Sequence, residues 1–130
     1  MYQANKKLTQ ALIDLNLGYP IAFENADFEP PEQGAWLSAH YLPVSNSSLM
    51  KDEFGLDEFA GIYQVSIYMP SGSGSGEAQR TADTIIQWFK HGRYVDDVLI
   101  LESTRNSGRS GSGWYIIDVS INFTVDLQRV

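Results

Sequence analysis

The sequence predicts an α+β fold: a two-layer sandwich with two helices packed on one face of a mainly antiparallel sheet. Three observations carry that expectation. Residues 3–16 and 77–90 place apolar side chains at the helical period, while several other segments alternate at the two-residue period of a strand. These segments follow the order α-β-β-β-α-β-β, which suits a sheet with its helices gathered on one side. The chain has 130 residues, a length that fits a single domain, 1–130, with about two-thirds of its unfolded surface buried.

In the first helix, Leu8, Ala11, Leu12 and Leu15 share a face, and Lys6, Lys7, Gln10 and Asp14 lie largely off it. Gly18 and Pro20 are expected to end it. A short strand at 21–23 then leads into a connector closed by Pro30, Pro31 and Gly34. Residues 35–44 alternate well enough for a strand. Residues 45–58 are polar, acidic and unpatterned, and read as a long loop. The third strand, 59–69, turns Tyr63, Val65, Ile67 and Met69 one way and Gln64, Ser66 and Tyr68 the other. A Gly-rich stretch, 71–76, precedes the second helix, whose buried stripe is Ala78, Ala82, Ile85, Ile86 and Phe89. Lys90 and His91 suit the negative end of that helix, and Gly92 suits a left-handed cap. A strand at 97–103, a second Gly/Ser loop at 104–113 and a strand at 114–127 complete the chain. In the last strand Tyr115, Ile117, Val119, Ile121, Phe123 and Val125 point inward, and Asp118, Ser120, Asn122 and Thr124 point outward. Because a helix links them, the third and fourth strands should run parallel, with both Gly/Ser loops at one end of the domain. The chain shows no internal repeat.

Composition excludes several functions. With no cysteine, the chain has no disulfide, no thiol chemistry and no cysteine-bound metal. The N-terminus has spaced apolar residues, unlike a signal peptide, and no run approaches the roughly 20 apolar residues of a membrane span. The expected location is the cytoplasm, or a structure assembled there, with no membrane contact. A net charge of −7 argues against a surface that grips nucleic acid. The excess is local, since residues 24–58 hold eight acids and one base, a net −7, and the remainder is neutral. One reading is solubility; the other is a surface that must not hold DNA passing close by.

The candidate chemistry is thin. Gly72, Gly74 and Gly76 sit between a strand and a helix, where a phosphate cradle forms. A P-loop needs Lys and then Ser or Thr at the helix start, yet Glu77, Ala78 and Gln79 follow Gly76. The dinucleotide spacing fails as well, because its third glycine would fall on Glu77. A mobile connector, capped by Ser73 or Ser75, explains the stretch equally well. His40 and His91 have no second ligand near them in sequence. The acidic pairs Asp52–Glu53, Asp57–Glu58 and Asp96–Asp97 do not follow a calcium-loop pattern and read as solvated acids. No G-x-S-x-G elbow is present. We therefore expect no catalytic residue, cofactor site or metal site. Trp36, Tyr41, Tyr63, Trp88, Trp114 and Tyr115 are sheet or helix positions first, with some as interface anchors.

The order of motifs is more specific. "PIAFENADFEPPEQGAWL", "LPV", "GIYQVSIYMPSGSG" and "EAQRTADTIIQWF" carry Ile21, Phe23, Asn25, Phe28, Pro30, Pro31, Trp36, Leu37, Pro43, Gly61, Gln64, Val65, Pro70, Gly72, Gly74, Ala82, Asp83 and Phe89. This set resembles the tail terminator (tail completion) proteins of long, flexible-tailed bacteriophages, over nearly the whole chain. The resemblance implies a structural virion protein, not an enzyme, that forms a homo-hexameric ring. Such a ring caps the tail tube, stops its polymerisation and joins the head connector, while DNA passes through the lumen at ejection. Its partners would be the major tail tube protein and the adaptor or stopper of the connector. Expected interface residues are Leu49, Met50, Phe54, Gly72, Gly74, Gly76 and Trp114, and Asp52, Glu53, Asp57 and Glu58 are candidates for an acidic lumen. The alternatives are another neck component, itself an adaptor or stopper, or a small-ligand-binding module using the Gly-rich stretch.

Overall fold

Alternation at the two-residue period builds the centre of the molecule. The computed structural model describes residues 2–23, 28–29, 34–46, 58–72 and 76–126. Its two longest strands, β3 (Glu58–Pro70) and β7 (Trp114–Asp126), pair antiparallel from Glu58↔Asp126 to Pro70↔Trp114. Tyr63, Val65, Ile67 and Met69 of β3 are buried, as are Ile117, Val119, Ile121, Phe123 and Val125 of β7. Each such side chain contributes about 1.5–3 kcal/mol when fully removed from water. Tyr115, also expected inside, is half-buried and packs against this core.

The other strands, β1 (Ile21–Phe23), β2 (Trp36–Asn46), β5 (Val98–Arg105) and the short β4 (Tyr94–Val95), extend the sheet on both sides in the order β1-β2-β3-β7-β5-β4. β2 (Trp36–Asn46) pairs antiparallel with β3, and the three-residue β1 (Ile21–Phe23) pairs parallel with β2, so the sheet is mixed. β5 (Val98–Arg105) pairs antiparallel with β7. β3 and β5 therefore run the same way, as the connecting helix requires, with β7 inserted between them.

Helix α1 (Tyr2–Leu15) buries Ala4, Leu8, Ala11 and Leu12, and helix α2 (Gly76–Trp88) buries Ala78, Ala82 and Ile85. These residues and Phe89 join the inward side chains of β3 and β7 in one cluster. The helices also touch directly, since Trp88 Nε1 donates to Ala11 O at 2.9 Å. The stop to α1 comes before Gly18. Asn16 takes the left-handed position (φ 56°), and its N–H bonds Ile13 O at 3.0 Å; asparagine adopts that conformation more readily than other residues with a Cβ. Gly92 is left-handed as expected (φ 88°), but its N–H goes to Ile100 O of β5.

The expected strand order needs correction, because two short strands were not foreseen. β4 (Tyr94–Val95) pairs with the start of β5, and β6 (Arg109–Gly111) pairs with the start of β7. Neither is long enough to show a period, and β6 contains no apolar side chain. The supposed loop at 104–113 is thus half strand, with 104–105 closing β5 and 109–111 forming β6. Asp96–Asp97 is a second correction, because these acids are not merely solvated. Lys7 Nζ of α1 lies 3.2 Å from Asp96 Oδ2 and 2.6 Å from Asp97 Oδ1, tying the helix to the β4–β5 turn.

Candidate functional site

The two glycine-rich segments meet at one end of the sheet. β3 finishes at Pro70, opposite Trp114, and the Ser71 N–H donates to Gly113 O at 2.9 Å. Ser112 and Gly113 both have positive φ (53° and 84°) and turn β6 into β7. A two-residue hairpin turn of this kind matches the natural strand twist. Gly72 also lies in the left-handed region (φ 89°), where the chain leaves the strand. Gly76 opens α2.

On the outward face beside this tip sits an aromatic cluster. Trp36 and Tyr68 are register partners and stack at 3.9 Å with an interplanar angle of 6°. Trp114 stands edge-on to both, at 6.1 and 6.3 Å, and Phe28 tilts over Trp36 at 5.2 Å. The edge-on contacts of Trp114 are of a kind favourable for aromatic rings, each worth about 0.5–1.5 kcal/mol beyond area burial. All four rings are half-buried. Trp36 Nε1 has no hydrogen-bond partner among the described residues.

Next to the cluster, Asp118 organises a polar network. Its carboxylate accepts from Ser66 Oγ at 2.5 Å, Asn106 Nδ2 at 2.9 Å and Arg109 Nε at 3.3 Å. Burial pushes this carboxyl up, but the hydrogen bonds from Ser66, Arg109 and Asn106 together hold it below its ordinary value. At the start of α2, Tyr19 Oη donates to Glu77 Oε2 at 2.7 Å. Burial first, and then the Glu77 carboxylate, raise the Tyr19 hydroxyl. A carboxylate already engaged in the first helical turn opposes a phosphate there.

The expected interface residues divide. Trp114, Gly72 and the start of α2 at Gly76 belong to the tip region described above. Leu49, Met50, Phe54 and Gly74 lie outside the described residues, as do Asp52, Glu53 and Asp57. Glu58 opens β3 at the far end of the sheet, roughly 40 Å from Pro70 at about 3.3 Å per residue. The chain leaves β2 at Asn46 and re-enters β3 at Glu58, so the segment 47–57 and the Trp114 tip attach at opposite ends. His40 and His91 are both exposed, and no group of His, Asp and Glu suited to a metal occurs among the described residues. Sequence reasoning missed the partnership of Trp36, Tyr68 and Trp114. Its signal was an aromatic at an outward position near each of three strand ends.

Comparison with known proteins decides the family. The family model for phage tail terminator protein matches residues 3–123. The chain belongs to the phage tail terminator family. This terminator is thus a structural component of a phage tail, in keeping with the resemblance carried by its motifs. A solved structure 21% identical in sequence aligns with a TM-score of 0.69, covering 97% of this chain and 92% of the other; at that identity it supports the fold alone. A search of curated proteins finds no match. No helix among the described residues of the terminator is long and apolar enough to cross a membrane.

Proposed function

We propose that this terminator forms a six-membered ring that caps the finished tail tube, stops its polymerisation and offers the head connector its joining surface. The repeating unit is one domain, residues 1–130, with its helices and sheet as a two-layer sandwich. The ring sits at the head-proximal end of the tail and is assembled in the host cytoplasm. Its partners are the major tail tube protein and the adaptor or stopper of the connector, and DNA crosses its lumen without specific binding. It needs no cofactor, metal or catalytic residue.

The observation that carries this reading is the family match across residues 3–123. Head-to-tail contacts follow from six-fold cyclic symmetry, which only a heterologous interface generates. Trp114, with Gly72, Gly74 and Gly76, is our choice for one side of that interface, in line with the enrichment of aromatic residues at binding hot spots. Leu49, Met50 and Phe54 are our choice for the other. Asp52, Glu53, Asp57 and Glu58 suit a lumen, where carboxylates repel passing phosphates.

Electron microscopy of particles made without this protein is the test. Tube growth without a terminator gives over-long tails. Tails of normal length, with heads that leak DNA, would overturn the proposal and favour a stopper or adaptor.

A further inference from the structure

Asp118 occupies an outward position in β7, where alternation alone leaves a carboxylate in solvent. Its side chain is nevertheless only 16% exposed. Its donors come from three places: Ser66 on β3, Asn106 in the β5–β6 connection and Arg109 on β6. The backbone joins in. Asn106 N–H bonds Asp118 O at 3.2 Å, and Asp118 N–H bonds Asn106 Oδ1 at 3.1 Å. The same Asn106 Oδ1 accepts from Gly108 N–H at 3.2 Å. The segment 106–111 has no apolar side chain, and Asn106, Ser107, Arg109, Ser110 and Gly111 are all exposed. Among the described residues, what attaches it besides the Asp118 network is three ladder positions, the Tyr115 hydroxyl on Ser107 O at 3.2 Å and the neighbouring Arg105 Nη1 on Asn106 O at 3.3 Å.

We propose that Asp118 is a charge-operated latch: its carboxylate holds segment 106–111 against the sheet, and loss of that charge frees this segment while the core stays folded. Among the described residues, the charged group facing it is Arg109. Ser66 and Asn106 are neutral, and Ile116 and Ser120 flank it on its own strand. The sign follows from the depressed carboxyl. The latch is complete above the unfolded carboxylate value of about 3.9 and is lost as pH falls through the lower folded value. The proposal stands apart from ring formation, since it concerns the free chain.

Amide hydrogen exchange on the full-length protein tests it. In Asp118→Asn, the amides of Asn106 and Gly108 should exchange at least tenfold faster, with Val65 and Ile121 unchanged. Arg109→Gln, an exposed substitution that spares the core, should give the same local pattern even where Asp118→Asn folds poorly. In the wild type, protection at Asn106 and Gly108 should fall below about pH 4, before protection at Val65 and Ile121. Unchanged rates at Asn106 and Gly108 in the variants, equal acceleration across the sheet, or simultaneous loss of all protection with acid would overturn the latch.

Discussion

Gly108 stands at φ +99°, and a Cβ built there would lie 2.6 Å from Tyr115 Cζ and 3.1 Å from Cε1. Backbone and packing therefore object to a side chain for separate reasons. Gly108→Ala should cost about 1–3 kcal/mol in urea unfolding. Adding Tyr115→Ala should remove the clash and leave the backbone part, so the double variant should lose less than the sum of the two single ones. An additive result would show that no clash is relieved. High pH tests different side chains. Lys7 is raised above its ordinary value, first by its hydrogen bond to Asp97, then against the opposing effect of burial by Asp96; burial alone pushes Tyr41 up to about 12. Both are raised groups, so their contributions are complete below their unfolded values near 10 and are lost as pH rises through their higher folded values. Thermal midpoints should hold steady between pH 7 and about 9.5 and fall beyond pH 10, and a tyrosine absorbance titration should include a component near pH 12. At this scale the sequence was partly legible. Trp114 was marked by its place at the head of an alternating strand. Asp118 was not, because alternation reports which face a residue takes but nothing about which distant donors arrive there.

The elements were legible wherever a side-chain period ran long enough. β3, β7 and α2 each repeat their buried positions several times, and their boundaries fall within a residue or two of expectation. β6 was not, because its pairing depends on two left-handed turn residues and the Asp118 network, neither of which leaves a hydrophobic pattern. β4 is two residues long and owes its place to a turn that Lys7 holds from another element. The stretch between β3 and α2 offered a choice between nucleotide cradle and connector. Glu77, engaged with Tyr19 in the first turn of α2, weighs for the connector. A thermal-shift measurement with magnesium and ATP should show no stabilisation, whereas a specific ligand at 100 times its dissociation constant adds about 2.7 kcal/mol. Gly72→Ala, Gly74→Ala and Gly76→Ala combined should impair stability or assembly instead. Micromolar ATP binding that disappears in this triple variant would restore the cradle.

For the whole molecule, the proposed ring makes charge and assembly separable. If Asp52, Glu53, Asp57 and Glu58 are solvated, as the sequence suggests, changing them together to their amides should leave unfolding nearly unchanged, since an exposed charge away from a partner usually matters within about 0.5 kcal/mol. If the four line the channel, particles carrying the variant should assemble and release DNA more slowly; normal ejection kinetics in assembled particles would exclude that role. The geometry also bears on force. The two proposed contact regions attach to the N-terminal ends of neighbouring antiparallel strands, Glu58 of β3 and Trp114 of β7. A pull between those points runs along the ladder and loads its hydrogen bonds together in shear. A pull across the strands would open them one pair at a time. Tension passed from one neighbour to the next through these two ends would therefore meet the sheet in its mechanically stronger direction.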